Sequence, residues 1–326
     1  SSNVADVYGG TYVGGISGGL YAATLINIPG TPASIITTFD GYPMAKNGKP
    51  WEAISLGLFS SFFGGIFSLI MLVAIAPQLA RVALMFGAWE YFAMGFLGLS
   101  VVTSMTSENM VKGLISCMIG LTLALVGMDP VLGIKRFTFG MWQLTSGFPT
   151  LVVLMGIFAV GEALSQAQML GLKAETVSIR VKGEYIPSLK YIISKFKAFV
   201  ISALVGTWVG ILPGVGQSTA SLMAYNQLRS ISKTPEKFGT GYDEGIIASE
   251  VANNACCGGA LIPMMTLGVP GDLVTSILLG GLIVHGLQPG PLLFSRTPRI
   301  AAAIFAAYLF SVIIMYIFGL AFMNIL

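Results

Sequence analysis

The sequence is poor in charged residues, histidine and cysteine. Only 10% of its 326 residues are Asp, Glu, Lys or Arg and 55% are hydrophobic, whereas about a quarter of a typical soluble domain is charged. This composition argues against a soluble enzyme and indicates an integral membrane protein. Its one histidine, His285, lies at the end of an apolar stretch, where a structural role is more common than proton transfer. The three cysteines, Cys117, Cys256 and Cys257, lack metal-ligand spacing, so we expect small buried residues and no disulfide framework, metal site or cofactor.

Long apolar stretches approach or exceed the roughly 20 residues that a membrane-spanning helix needs. They are continuous and rich in Gly, Ala, Leu and Met, unlike the alternating strands of membrane β-barrels. The fold class predicted is therefore an all-α integral membrane protein, a polytopic helical bundle. The chain starts at Ser1 without methionine and reaches Leu326 inside an apolar stretch, so we expect residues 1–326 to be one transmembrane domain and a fragment of a longer chain. The predicted spans are 52–76, 84–105, 110–127, 149–167, 244–267 and 300–326.

Three Pro-Gly pairs interrupt apolar, span-length segments: Pro29-Gly30, Pro213-Gly214 and Pro270-Gly271. Proline removes a backbone donor and clashes with the preceding turn, so each pair should break its helix and leave backbone polar groups unpaired. Hydrocarbon cannot satisfy these groups, but protein, water or a bound ion can. Broken helices at membrane depth are typical of secondary transporters, which build substrate and ion sites from them. We therefore expect Pro-Gly-broken or re-entrant helices near the functional site.

The longest polar segment is basic. Residues 173–197 contain six Lys or Arg and two Glu, so the positive-inside rule predicts a cytoplasmic loop over 168–197. An apolar segment follows from 198 to 212, and Arg229, Lys233 and Lys237 form a second basic flank. Basic residues on both flanks favour a re-entrant hairpin with Pro213-Gly214 at its tip. A single kinked span is the alternative.

Short echoes suggest two repeat-like halves, 1–167 and 198–326. Ile28-Pro29-Gly30 aligns with Leu212-Pro213-Gly214, which places Ser34 over Ser218. Gly10-Thr11-Tyr12-Val13-Gly14 also resembles Gly206-Thr207-Trp208-Val209-Gly210, at a different offset. We expect a two-repeat transporter architecture, with the relative orientation of the halves open. Residues 40–43 of the first half are predicted to form a polar turn.

Glu250, Asn253 and Asn254 interrupt the apolar span 244–267. Polar side chains at membrane depth are costly and usually face the bundle interior or a cavity. These three side chains could form hydrogen bonds between helices, or they could bind substrate or ion directly, and the sequence supports both interpretations equally. Asn offers a carbonyl oxygen that suits sodium and amide donors that suit a carboxylate. Glu250 could equally lie at a helix end.

The segments after the breaks also suit an anion. A half-helix that starts after Pro-Gly presents free N–H groups and the positive end of its dipole, and nearby Ser, Thr and Gln side chains add neutral donors, although each could merely bond its own backbone. Cations are absent near the breaks, so co-bound Na+ or H+ would balance an anionic substrate. The candidate substrate- and ion-binding residues are Asn27, Pro29, Gly30, Thr31, Ser34, Thr37, Thr38, Gln217, Ser218, Asn253, Asn254, Gly271 and Asp272.

Asp40 and Asp272 raise the alternative of an intramembrane aspartyl protease, because paired aspartates can perform acid-base hydrolysis. Such enzymes carry a Tyr-Asp pair and a Gly-x-Gly-Asp motif. Here Phe39 precedes Asp40 and Val269 occupies the first glycine position before Asp272, which argues against this class. No phosphate-binding loop, nucleotide-binding motif or zinc signature occurs either, so an ATP-driven pump has no support.

Two long segments resemble the large permease subunit of the tripartite tricarboxylate transporter family. The first runs from Asn27-Ile28-Pro29-Gly30-Thr31-Pro32-Ala33-Ser34 to Gly48, and the second from Gly241 through Glu250 and Ala252-Asn253-Asn254-Ala255 to Gly268-Val269-Pro270-Gly271-Asp272. Val269 stands where isoleucine is expected, a minor departure. Shorter matches include Glu90-Tyr91-Phe92 and Arg136-Phe137-Thr138-Phe139-Gly140, so the resemblance covers essentially the whole sequence.

The resemblance implies a multi-pass permease of the bacterial inner membrane that imports tri- or dicarboxylates such as citrate, driven by a sodium or proton gradient. It also implies two protein partners, a small membrane subunit and a periplasmic solute-binding protein, besides the carboxylate and the lipid bilayer, and no nucleic acid. The carboxylate itself is open, because the choice could lie largely in the periplasmic protein. A non-transporting sensor or scaffold subunit is the alternative from another class.

Overall fold

The computed structural model describes residues 2–105, 110–129, 132–149, 152–153, 155–161, 164, 167 and 187–323. It divides into two compact units, one of residues 1–84 and 173–326 and one of residues 85–172. Helices dominate both units, which confirms the all-α class. In chain order the helices are α1 (Ser2–Ile26), α2 (Thr37–Lys46), α3 (Pro50–Ala83), α4 (Ala88–Met105), α5 (Met110–Ala124), α6 (Leu189–Ile211), α7 (Gly216–Ile231), α8 (Asp243–Leu267), α9 (Leu273–Val284), α10 (Leu292–Arg296) and α11 (Pro298–Met323).

The apolar stretches correspond to helices. The predicted spans 52–76, 84–105, 110–127, 244–267 and 300–326 match α3, α4, α5, α8 and α11, whereas much of 149–167 lies outside the described residues. Within the described part of the chain, α3, α6 and α11 are long and apolar enough to cross a membrane. These helices and the composition together establish an α-helical membrane protein.

The smaller unit contains α4 packed on α5, followed by a short antiparallel ladder. Its strands are β1 (Gly127–Met128) and β2 (Lys135–Arg136), with Gly127 opposite Arg136 and Met128 opposite Lys135. Arg136 also forms an ion pair with Asp129, which braces the ladder. A 3-10 turn at Trp142–Leu144 and a π-helix at Met155–Val160 complete the described structure of this unit.

In the larger unit α8 is the central helix and packs against α3, α6 and α7. Every residue from Gly245 to Thr266 is buried. Small residues allow this close packing, because helix backbones can approach only where no side chain intervenes. At Gly64 of α3, for example, an added Cβ would lie 2.3 Å from the backbone oxygen of Val251. Functional side chains on α8 are therefore enclosed by protein.

All three Pro-Gly pairs lie between helices, as predicted. Residues 27–31 separate α1 from a 3-10 turn at Pro32–Ser34 and α2, residues 212–215 separate α6 from α7, and residues 268–272 separate α8 from α9. Two of the breaks touch, because the Gly214 N–H donates to the Gly271 carbonyl at 2.9 Å. Backbone groups freed at one break are thus satisfied at another.

Helices α6 and α7 pack against each other on either side of Pro213-Gly214. Val205 and Val209 of α6 share a small buried cluster with Ala220 and Ala224 of α7, so the chain folds back on itself. This arrangement favours the predicted hairpin over a single kinked span, in which the two halves would lie end to end. Its re-entrant position in the membrane stays a prediction, as do the repeat halves 1–167 and 198–326.

Two predicted boundaries need correction. Residues 40–43 form part of α2 and not a polar turn, because the buried Asp40 side chain bonds to a distant loop and leaves its own backbone free to stay helical. The predicted basic loop 168–197 ends before Leu189, where α6 begins behind a Ser188 cap that accepts from the Tyr191 N–H at 3.3 Å. Residues 168–186 lie outside the described residues.

Candidate binding site

Glu250 lies in the middle of α8 and is buried to 1% exposure, so it is not a helix-end residue. Its carboxylate accepts hydrogen bonds from the Thr37 hydroxyl of α2 at 2.5 Å and the Ser61 hydroxyl of α3 at 2.8 Å. Thr37 also lies 3.2 Å from the Ser249 hydroxyl. We call Thr37, Ser61, Glu250, Asn253 and Asn254 the Glu250 cluster. It places a carboxylate among neutral donors inside the bundle.

The asparagine pair extends this cluster along α8. Asn254 donates from Nδ2 to the Asn253 Oδ1 at 2.7 Å, and its own Oδ1 accepts from the Ser17 hydroxyl of α1 at 2.9 Å. The Asn253 Nδ2 is buried and has no hydrogen-bond partner among the described residues. An unpartnered buried amide is expensive in a helix bundle and is a common mark of a binding site. The asparagine pair therefore joins helices through its hydrogen bonds, and the Asn253 Nδ2 donor is not used by any described residue.

A second cluster surrounds Asp272 and consists of Tyr12, Gln217, Asp272 and Thr275. The Tyr12 hydroxyl and the Gln217 amide both donate to Asp272 Oδ2, while Oδ1 accepts from the Thr275 N–H and hydroxyl at 2.7 and 2.6 Å. Asp272 is thus the N-cap of α9. The first turn of α9 already has an anion in its own cap, which weakens the expectation that it receives a substrate.

The N-terminus of α7 differs from that of α9. Its N-cap is Val215, which has no side-chain cap, and Gln217 lies in the first turn beside the break. Ser218 is half-buried at the next position. Free amides at a helix N-terminus suit an anion, so the expectation of a carboxylate-binding terminus applies better here than at α9.

Polar groups around the first break, Pro29-Gly30, bond mainly to residues close to them in sequence. Ser34 accepts from the Thr31 N–H at 3.2 Å and donates to the Thr31 carbonyl at 2.9 Å, and Thr38 donates to the Ile35 carbonyl at 2.6 Å. Asn27 is exposed, with a left-handed φ of 55° that turns the chain out of α1. Pro29 and Gly30 belong to this turn, and Gly30 packs against α1. Of the predicted residues around this break, Thr37 is the one that reaches the Glu250 cluster.

Asp40 is a structural anchor. Its buried carboxylate accepts from the N–H groups of Gly239, Gly241 and Tyr242 at 2.7–3.1 Å and from the Tyr225 hydroxyl at 2.7 Å. It thereby ties α2 to α7 and to the loop before α8. Asp40 and Asp272 have separate sets of partners, unlike the paired aspartates that a protease requires.

Sequence reasoning missed several members of these clusters. Tyr12 and Ser17 lie in the glycine-rich α1, and Ser61 lies within an apolar span. A polar side chain in an otherwise apolar segment is the sequence feature that could have indicated such residues, and Ser60-Ser61 is an example. Glu250 is not among the predicted binding residues, because in the sequence it could equally lie at a helix end.

Comparison with known proteins identifies the family. The model of the tripartite tricarboxylate transporter TctA family matches residues 4–326. The chain belongs to this family. TctA-family membership agrees with the helical membrane fold, and Glu250, Asn253, Asn254 and Asp272 lie within the second segment that resembles the family.

Two curated relatives from Agrobacterium vitis are similar to the chain. An uncharacterised 52.8 kDa protein in the TAR-I ttuC' 3' region is 37% identical over 299 residues, which cover 91% of this chain and 59% of the relative. A protein in the TAR-II ttuC' 3' region is 37% identical over 102 residues, 31% of this chain and 42% of the relative. The chain thus spans about half the length of these relatives. No solved structure matches it.

Proposed function

We propose that this TctA-family chain is the large membrane subunit of a secondary active transporter that imports tri- or dicarboxylates, such as citrate, across the bacterial inner membrane. A sodium or proton gradient drives the import. A small membrane subunit completes the permease in the lipid bilayer, and a periplasmic solute-binding protein delivers the carboxylate. Family membership supports the substrate class and the partners.

The observation that carries the coupling proposal is the incomplete satisfaction of Glu250. A carboxylate offers about four lone-pair sites. Asp40 accepts from four donor groups and Asp272 also from four. Glu250 accepts from two side-chain hydroxyls. Glu250 is therefore the least satisfied of these three buried carboxylates.

A buried carboxylate without a cationic partner favours a bound proton or metal cation. None of the ion pairs found among the described residues includes Glu250. The side-chain oxygens of Glu250, Asn253 and Asn254 are hard ligands of the kind that sodium accepts. We therefore assign the coupling ion to the Glu250 cluster.

The substrate carboxylate is assigned to the first turn of α7. Its amides have no side-chain cap, and Ser218 adds a neutral donor, whereas the Gln217 amide already donates to Tyr12 and Asp272. Gly271 places the third break directly against the second through the Gly214–Gly271 hydrogen bond. Asp272 then orients Gln217 instead of binding substrate. An anion here would be held by dipoles and neutral donors, and the coupling cation would offset its charge.

Uptake by the reconstituted full-length complex tests the proposal. Labelled citrate and other di- and tricarboxylates are supplied with the periplasmic protein, with and without a sodium or proton gradient. Glu250→Gln and Asn253→Ala should each lower gradient-driven uptake about tenfold, equivalent to roughly 1.4 kcal/mol, because each changes a proposed cation ligand. The matched control is Glu236→Gln, an exposed loop carboxylate, which should transport normally.

Sodium coupling and proton coupling predict different results in this uptake assay. With sodium, the variants should raise the sodium concentration needed for half-maximal uptake. With protons, Glu250→Gln should abolish the response to a pH gradient. Uptake that survives collapse of both gradients would contradict the proposed coupling. A complex that transports nothing but still assembles would favour a sensor or scaffold.

A further inference from the structure

A basic cavity lies between the first turns of α6 and the end of α7. Its volume is about 420 Å³, and its polar lining includes Lys195, Lys197, Lys233, Lys237 and Glu244. Its floor is apolar, because the buried Ala198 and Leu228 also line it. This cavity is separate from the clusters assigned above to substrate and ion.

Three of its lysines carry positive charge that nearby acids do not offset. Lys195 pairs with Asp243 at 3.1 Å and with Glu244 at 3.0 Å. The carboxylate of Glu244, the acid in the cavity lining, is thus already paired with Lys195. Lys197, Lys233 and Lys237 are exposed, and no ion pair within the described ranges includes them. Three ammonium groups without an acidic partner in the described ranges, around one cavity with an apolar floor, suit a phosphate or another compact anion.

The adjoining surface of α6 favours a lipid over a free phosphate. Ile193, Leu204 and Trp208 are 65%, 48% and 67% exposed. At about 100° per residue they lie within roughly 40° of Lys197 around the helix axis. From Lys197 to Trp208 the helix rises roughly 16 Å, about half of the 30 Å hydrocarbon core. An exposed apolar stripe of about one leaflet's depth thus starts at the basic cavity.

We propose that this cavity binds the phosphate headgroup of an anionic phospholipid, whose acyl chain lies along Leu204 and Trp208 of α6. Basic pockets between helices at the cytoplasmic surface are suited to such headgroups. The lipid bridges the two arms of the α6–α7 hairpin, because Lys197 lies on α6 whereas Lys233 and Lys237 follow α7. The proposal does not depend on the transported substrate.

The test measures lipid binding to the purified full-length protein. Protein in nanodiscs of phosphatidylcholine is titrated with phosphatidylglycerol that carries brominated acyl chains, and quenching of tryptophan fluorescence reports contact. Replacing Lys197, Lys233 and Lys237 together by Gln should weaken binding by about fivefold per lysine, since each basic residue at a membrane surface contributes about that factor. The Trp208→Phe variant should lose most of the quenching while still binding the lipid.

A matched variant controls for net charge. Replacing the exposed Lys112, Lys190 and Arg229 by Gln also removes three positive charges, but from residues that do not line the cavity. This variant should bind the lipid as the wild-type protein does. Equal weakening in both triple variants, or equal affinity for brominated phosphatidylcholine, would overturn the proposal. Competition by glycerol phosphate as strong as that by the whole lipid would assign the cavity to a soluble anion and overturn the lipid assignment. Circular dichroism checks that both variants stay folded.

Discussion

The contact between α6 and α8 at Gly210 gives a sharp test of the packing. A Cβ added at Gly210 would lie 2.4 Å from the backbone oxygen of Cys256, and ordinary contact begins at 3.4 Å, so the overlap is about 1.0 Å. The neighbouring atoms are also backbone, at Gly259 and Ala260, and cannot rotate away. Overpacking of this kind costs about 1–3 kcal/mol. The better helix propensity of Ala offsets about 0.5–1 kcal/mol of this cost, so Gly210→Ala should destabilise the protein by about 0–2.5 kcal/mol, with a central value of about 1 kcal/mol.

Unfolding in mixed micelles with increasing denaturing detergent measures this difference. The control is Gly14→Ala in α1, where an added Cβ meets nothing within 4 Å and the propensity gain should act alone. We expect Gly210→Ala to unfold at lower denaturant than the wild-type protein and Gly14→Ala at equal or higher denaturant. If Gly210→Ala were as stable as the wild-type protein, the close approach of α6 to α8 would be refuted.

Two further predictions concern buried polar groups. Asp40→Asn should destabilise the loop before α8, because hydrogen bonds to a charged acceptor contribute about 1.5–3 kcal/mol each. Trypsin should then cleave after Lys237 faster in this variant than in the Glu236→Gln variant. Unchanged cleavage would contradict the structural role of Asp40. Ser61→Ala should cost about 1–3 kcal/mol in thermal unfolding and alter the ion dependence of uptake, because it leaves Glu250 with one donor. The neighbouring Ser60→Ala should be neutral or stabilising, because the buried Ser60 hydroxyl has no partner in the described structure, and equal losses in both variants would refute this distinction.

The helices could be predicted because continuous apolar runs determine them locally, and the breaks because proline and glycine occur together. Single prolines at positions 43, 77 and 263 lie inside α2, α3 and α8. At the first and third breaks a left-handed residue ends the helix before the pair, Asn27 at φ 55° after α1 and Gly268 at φ 71° after α8. Gly214 has a left-handed φ of 80°. Gly30 and Gly271 instead let backbones meet, since a Cβ at Gly271 would lie 2.5 Å from the Gly210 oxygen.

The site could be predicted only in part, because its partners are distant in sequence. Ser61 and Ser17 lie 189 and 237 positions from the α8 residues that they contact. Nothing local distinguishes these serines from Ser60, whose hydroxyl has no hydrogen-bond partner in the part of the chain that the structure describes. Glu250, Asn253 and Asn254 were recognisable because they are polar within one apolar helix. Residues whose role depends on which helices meet require the tertiary structure.

The contacts among the breaks indicate how substrate and ion sites could influence each other. The second and third breaks are joined by the Gly214–Gly271 backbone bond and by the Gln217–Asp272 side-chain bond. Displacing the start of α7 would therefore break two bonds to the segment that connects α8 to α9, or carry that segment and the adjoining end of α8 with it. Helix α8 is continuous from there to Glu250, and rigid helices transmit such shifts. The anion proposed at α7 and the cation proposed at Glu250 would thus act on the two ends of one buried helical segment.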